Sequence, residues 1–264
     1  MLIWIETLLL LFLAGGLYTF KYNWKPKTPH FLLTEKLTVI GHRGAPVLAK
    51  ENTLDSFKSA FDAGLIGIEL DVQLSSDNKL VVFHDYFINH PEIPANKVNN
   101  IPYNTMINIR DNNIPLLSDV IQIIPEGSFI NIEIKSNQII NTGIEKKVLT
   151  EIKTRGIENA CIVSSFNPFV LRRIKKLAPH ITTAFLWTAE NTESIVNSPL
   201  WVWYCRPDGF HADIRHIDEK LIDWIRGKKL FALAYTVNSQ KHLTRARDLL
   251  LDGIFTDDPY LNKE

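Results

Sequence analysis

Ile66-Gly67-Ile68-Glu69-Leu70-Asp71-Val72-Gln73-Leu74, followed after a polar break by Leu80-Val81-Val82-Phe83-His84-Asp85, is the stretch on which the fold turns. Both runs read as β-strands, but the gap from Leu74 to Leu80 is too short for a parallel crossover, which needs about a dozen residues. The pair must be a hairpin turning near Asp77-Asn78. A two-residue loop pairs Ser76 with Lys79 and sets Asp71 opposite His84; a slip of one or two residues sets Leu70 or Glu69 there. Every register delivers His84 beside Glu69 and Asp71, two carboxylates that share one strand face about 7 Å apart.

Outward from this hairpin, β-rich runs alternate with helical ones. Strands are expected at 37–40, 66–74, 80–83, 129–134, 160–163, 182–187, 208–211, 230–237 and 253–256. Helices are expected at 54–63, stopped by Gly64, and at 115–124, 144–155, 168–177, 218–226 and 239–250. Removing the hairpin partner leaves eight strands for a parallel sheet covered by helices, and 264 residues suit a single α/β barrel of roughly 250. The expected fold is therefore α/β: a TIM (β/α)8 barrel, with a short insertion after the His84 strand and an N-terminal transmembrane helix. An open doubly wound sheet is the alternative. It would want a G-x-G-x-x-G turn after the first strand, and Gly41-His42-Arg43-Gly44 lacks that spacing.

The N-terminus differs from the rest. Residues 1–20 are almost wholly apolar with Glu6 the only charge, and twenty helical residues span roughly 30 Å, the thickness of a bilayer core. A cleaved signal peptide is the competing reading, but no Lys or Arg precedes the apolar run. Lys21, Lys25 and Lys27 follow it, which by the positive-inside rule places the main domain in the cytoplasm. The expected division is an anchor at 1–20, a linker at 21–36 and a catalytic domain at 37–264.

Lys+Arg and Asp+Glu both count 29, so bulk charge gives no sign of nucleic-acid binding and any phosphate recognition must be local. Cys161 and Cys205 are too few for a disulfide framework or a cysteine zinc site. No nucleophile elbow, P-loop or zinc-spaced His/Cys cluster is present.

The informative charges sit at the ends of apolar runs. Glu69 and Asp71 repel one another unless a cation lies between them, and a hard divalent ion, Mg²⁺ or Ca²⁺, suits all-oxygen ligands. Glu133, closing Ile130-Asn131-Ile132-Glu133, can be the third ligand. Ion pairs with Arg or Lys are the plainer explanation for any one of these carboxylates, but not for all three in such apolar surroundings. His42 and His84 are candidates for general acid and base. His90, His180, His211 and His216 read as core histidines. Arg43 and Lys135 can neutralise a phosphate, Arg43 by a bidentate fork. Lys135 shares a face with Glu133, so a structural ion pair is its alternative. Asn52 and Thr53 can simply be helix caps, and Glu51 is a site candidate that could equally be a solvated loop residue.

The ordered set Gly41-His42-Arg43-Gly44, Glu51-Asn52-Thr53, Glu69-Leu70-Asp71-Val72, Val82-Phe83-His84-Asp85, Ile132-Glu133-Ile134-Lys135, Ser164-Ser165-Phe166, Tyr235-Thr236-Val237-Asn238 and Gly253-Ile254-Phe255-Thr256-Asp257 resembles the glycerophosphodiester phosphodiesterase family. The resemblance covers about residues 37–260. It implies a TIM barrel that hydrolyses a glycerophosphodiester to glycerol 3-phosphate and an alcohol. By that resemblance Glu69, Asp71 and Glu133 would bind the metal, and His42 and His84 would be the acid/base pair. Arg43 and Lys135 would hold the phosphate, Glu51 would belong to the metal and glycerol region, and Tyr235, standing where Trp is common, would shape the substrate pocket. The segment 86–113 departs from the family pattern, being short and rich in Asn and Pro, which leaves substrate choice open. A lysophospholipase D acting on lysophospholipids at the membrane is the rival within the class. An inactive barrel used as a binding module is the rival outside it.

Overall fold

The structure, a computed structural model, describes residues 24–90, 93–109, 113–190 and 198–262. The anchor expected at 1–20 lies outside them; among the described residues no helix is long and apolar enough to cross a membrane.

Eight parallel strands close a barrel. They are β1 (Thr38–Gly41), β2 (Gly67–Leu74), β6 (Phe129–Ile134), β7 (Cys161–Ser165), β8 (Thr182–Trp187), β9 (Gly209–Asp213), β10 (Phe231–Tyr235) and β11 (Gly253–Thr256). Closure is explicit, because β1 pairs on one side with β11 (Thr38↔Gly253) and on the other with β2 (Ile40↔Gly67). The open doubly wound alternative is thereby excluded. The helices α1 (Leu54–Asp62), α3 (Leu117–Gln122), α4 (Ile144–Thr154), α5 (Pro168–Leu177), α7 (Glu219–Gly227) and α8 (Gln240–Asp248) match the expected runs to within a few residues. Their apolar stripes cover the outward faces of the strands, as Ile68, Leu70 and Val72 of β2 do in the cluster with Phe57, Val120 and Val148.

The hairpin is present but its register differs from the two-residue expectation. β3 (Leu80–Val82) runs antiparallel to β2, with Val72↔Val82 and Leu74↔Leu80. Ser75 pairs with Lys79, so the loop holds three residues. Asn78 adopts a left-handed φ of 62°, which asparagine tolerates well, and the Ser75 hydroxyl accepts from the Lys79 amide. Phe83, not His84, therefore stands opposite Asp71. The side chain of His84 is not flipped out of the site by this slip, because β3 stops at Val82 and His84 lies in the loop beyond.

The insertion after that loop contains a second hairpin that the Asn- and Pro-rich sequence did not suggest, β4 (Phe87–His90) on β5 (Ile93–Lys97), and a short helix α2 (Tyr103–Ile107). It has its own core, in which Ile88, Val98, Ile101, Met106 and Ile109 pack on Val81. One more short helix, α6 (Val202–Cys205), precedes β9.

The floor of the barrel, at the amino ends of the strands, is apolar. Phe31, in the stretch read as a linker, is buried and stacks on Phe129 at 4.0 Å between ring centres. Trp24 donates its indole N–H to the Pro207 carbonyl, and the Lys27 amide donates to Asp208. Room for the rings is left by glycine: a Cβ on Gly67 would stand 2.3 Å from the Phe129 ring, and one on Gly209 2.2 Å from that of Phe231.

Candidate active site

At the opposite end, the carboxyl ends of the strands surround a cavity of about 330 Å³. His42, Arg43, Glu69, His84, Glu133, Lys135 and Tyr235 all line it. Inward-facing residues recur every second position along a strand, so β2 presents Glu69 and Asp71 while β6 presents Glu133, in register with Asp71. All three carboxylates are buried, and one oxygen from each lies within 4.8 Å of the others. Burial, then the charges of Asp71 and Glu133, push the Glu69 carboxyl well above its ordinary range, although Arg43 opposes this. Glu133 is also raised by burial, against the pull of Lys135. Three crowded acidic oxygens in a desolvated place are a poor arrangement on their own. The donor set fits a hard divalent cation.

The two cations are tied into this cluster. Lys135 lies 3.2 Å from Glu133 and 3.8 Å from Asp71. Burial works against its charge, but those two carboxylates outweigh it and raise its affinity for the proton. Arg43 has a left-handed φ of 53°, and its amide donates to Glu69 while its guanidinium donates to both oxygens of Glu51. Its Nε stands 3.4 Å from Asp71. Glu51 itself sits half exposed on the rim and is tied to the site through Arg43.

Both histidines have Nδ1 on a carboxylate. His42, just past β1, meets Asp257 at 2.7 Å, and His84 meets Asp85 at 2.8 Å. Burial pushes the Asp257 carboxyl up, but the bond and charge of His42, helped by Asn238 and Arg43, outweigh this and hold it below the ordinary range. Tyr235 donates its hydroxyl to the Trp187 carbonyl and meets Phe166 edge-on at 6.0 Å.

Several residues of the site were not anticipated. Asp257 and Asn238 were visible only as parts of motifs. Gln73 donates to the carbonyls of Phe83, His84 and Asp85, fixing the His84 loop. Asn52 is not a cap: its amide N–H donates to Asp71 at 2.9 Å, whereas Thr53 caps α1 by accepting from the Ser56 amide. Asp213 and Arg215 also line the cavity, and Arg215 pairs with both Asp213 and Glu190. A carboxylate closing an apolar run, Gly209-Phe210-His211-Ala212-Asp213, was the available signal for Asp213. His216 is not a core histidine either, since it packs beside Asp213 and Glu190. His211 is one, fully buried against Phe255, but among the described residues neither ring nitrogen has a hydrogen-bond partner.

A family model for the glycerophosphoryl diester phosphodiesterase family matches residues 42–261. A glycerophosphodiester phosphodiesterase of Caldanaerobacter subterraneus is 34% identical over 239 residues, covering 85% of this chain and 95% of that protein. One from Bacillus altitudinis is 31% identical over 84% of this chain and 94% of its own length. The crystal structure of a glycerophosphodiester phosphodiesterase from Thermotoga maritima is similar with a TM-score of 0.71 and 29% identity, covering 86% of this chain and 97% of that one. A phosphodiesterase from Oleispira antarctica, solved in complex with sn-glycerol 3-phosphate, shares the fold at a TM-score of 0.68 and 24% identity, over 84% of this chain and 93% of that one. The chain belongs to the glycerophosphoryl diester phosphodiesterase family of enzymes.

Proposed function

We propose that the protein hydrolyses glycerophosphodiesters to glycerol 3-phosphate and an alcohol, using a divalent cation held by Glu69, Asp71 and Glu133. The observation that carries this reading is the meeting of a buried carboxylate triad and two carboxylate-bonded histidines in one cavity. Membership of the family and the product bound to the Oleispira antarctica relative support the substrate class. Bound there, Mg²⁺ or Ca²⁺ would draw charge from the phosphoryl oxygens.

With Nδ1 occupied by Asp257 or Asp85, each imidazole has Nε2 left for proton exchange. One takes the proton of the glycerol 2-hydroxyl as its oxygen attacks phosphorus. The other protonates the departing alcohol oxygen, and a water then opens the cyclic phosphate. Lys135 and Arg43 stabilise the charge that develops on phosphorus-bound oxygens. Glu51 orients Arg43 from the rim, and Tyr235 forms part of the substrate wall.

Residues 1–20 serve, in this reading, as a membrane anchor, and the stretch 21–36 joins it to the barrel floor, with the catalytic domain in the cytoplasm. Trp24 meets the barrel at its floor, so the tether holds the floor and not the mouth toward lipid. That placement favours a water-soluble diester over a lysophospholipid drawn from the same bilayer. The lysophospholipase D reading draws instead on the exposed Tyr86 and Phe87 beside the mouth. Glycerol 3-phosphate release from glycerophosphodiesters and choline release from lysophosphatidylcholine, each measured with Mg²⁺, with Ca²⁺ and with chelator, separate the two. Metal-dependent hydrolysis of the soluble diester is expected, with a bell-shaped pH profile. Hydrolysis of neither substrate with either metal would leave only a binding module.

A further inference from the structure

A second cavity, of about 380 Å³, adjoins the first at Lys135. Lys135 lines both cavities, so a phosphate held by its ammonium has the second one beside it. Its walls come from the β2–β3 turn, the loop after β6 and the inserted hairpin. Ser76, Asn99, Asn137 and Gln138 supply hydroxyl and amide groups that both donate and accept hydrogen bonds. Tyr86 and Phe87 supply aromatic surface. Among the described residues none of those lining it carries a carboxylate, and the charged ones are Lys97 and Lys135.

The aromatic rings look suited to a quaternary ammonium, but their faces are already engaged. The Lys135 ammonium lies 5.8 Å from the centre of the Tyr86 ring, and that of Lys97 lies 5.9 Å from the centre of Phe87. A trimethylammonium group entering here would displace or face the like charge of Lys97, whereas Glu133 and Asp71 already offset Lys135. A polyhydroxyl alcohol meets no such penalty and finds the amides and hydroxyls it needs.

Building on the proposed function, we infer that this second cavity receives the leaving alcohol and selects polyol headgroups, such as glycerol or inositol, against choline. The inserted hairpin thereby sets specificity through a charge, Lys97, that takes no part in the chemistry.

The experiment compares kcat/KM for glycerophosphoglycerol, glycerophosphoinositol and glycerophosphocholine in the wild type, in Lys97→Glu and in Asn99→Leu. Both substituted residues are exposed, so the variants are expected to fold. The wild type should favour the two polyol diesters by roughly tenfold or more over the choline diester. Lys97→Glu should narrow that ratio by raising activity on the choline diester, and Asn99→Leu should narrow it by lowering activity on the polyols. Equal rates on all three diesters, or a ratio that neither variant moves, overturns the inference while leaving the proposed function intact. Hydrolysis of none of them overturns both.

Discussion

The two ends of this barrel are built on opposite terms. At the floor, Phe31, Phe129 and Phe231 fill the space that Gly67 and Gly209 leave, and the contacts are apolar and close. At the mouth, Glu51, Glu69, Asp71 and Glu133 crowd around Arg43 and Lys135, with Glu69, Asp71, Glu133 and most of Lys135 out of reach of water. Burying charge opposes folding, whereas burying phenyl rings drives it by about 1.5–3 kcal/mol each. The floor and the helix-covered outer face thus stabilise the barrel while the mouth strains it. A substitution should therefore affect either catalysis or stability according to which end it touches.

The strongest test is at the mouth. His42→Ala should lower kcat by about a thousandfold, while the thermal midpoint stays close to that of the wild type. Full retained activity would remove His42 from the proposed chemistry. A fall in stability matching the fall in rate would dissolve the division between the two ends. The reverse experiment is Phe31→Ala, which should cost about 3 kcal/mol of unfolding free energy in denaturant titrations. Its kcat/KM per folded molecule should be unchanged. An intact stability would mean that the Phe31–Phe129 stack is incidental to the floor.

The mouth was far more legible in the sequence than the floor. A charge inside a run such as Ile66-Gly67-Ile68-Glu69 stands out because strand interiors of a parallel barrel are apolar on both faces. All eight barrel strands and the longer helices could be read for the same reason. Phe31 could not, because an aromatic in a proline-flanked segment carries no periodicity and its burial depends on a barrel that forms elsewhere. The β4–β5 hairpin was hidden by Asn and Pro in the inserted segment. Within the site, Gln73 and Asn52 were missed because their roles are contacts to Phe83, His84, Asp85 and Asp71, which only the fold brings near. The hairpin register slipped by one because turn length rests on the local chemistry of Ser75 and Asn78, which pattern alone does not weigh.

His211 probes the interior between the ends. Burial lowers its pKa from 6.5 to about 3. Between those values the unfolded chain binds a proton that the folded barrel refuses, so stability falls as pH drops below about 6.5. At pH 5 the loss from this residue should be about 2 kcal/mol. His211→Phe, placed among Phe231 and Phe255, should lose this part of the acid-side slope in urea titrations at pH 7 and pH 5. An unchanged slope would show that His211 is not the group responsible.

The finest test uses two adjacent residues that the comparison assigns to different tasks. Asn52 bonds the carboxylate and amide of Asp71, whereas Thr53 accepts from the Ser56 amide in the first turn of α1 and donates to the Lys50 carbonyl. Asn52→Ala leaves an oxygen of Asp71 without its amide donor and should weaken the affinity for the activating metal by about tenfold. It is read as a rightward shift of the Mg²⁺ or Ca²⁺ titration. Thr53→Ala removes the cap bond and the bond to the Lys50 carbonyl and should cost about 1 kcal/mol of stability, with that titration unmoved. Both side chains are buried, so exposure does not separate them. What separates them is which partner each oxygen and nitrogen reaches. If Thr53→Ala shifts the metal titration as far as Asn52→Ala does, the first turn of α1 is part of the site. The line between scaffold and chemistry would then fall inside the helix and not at its start.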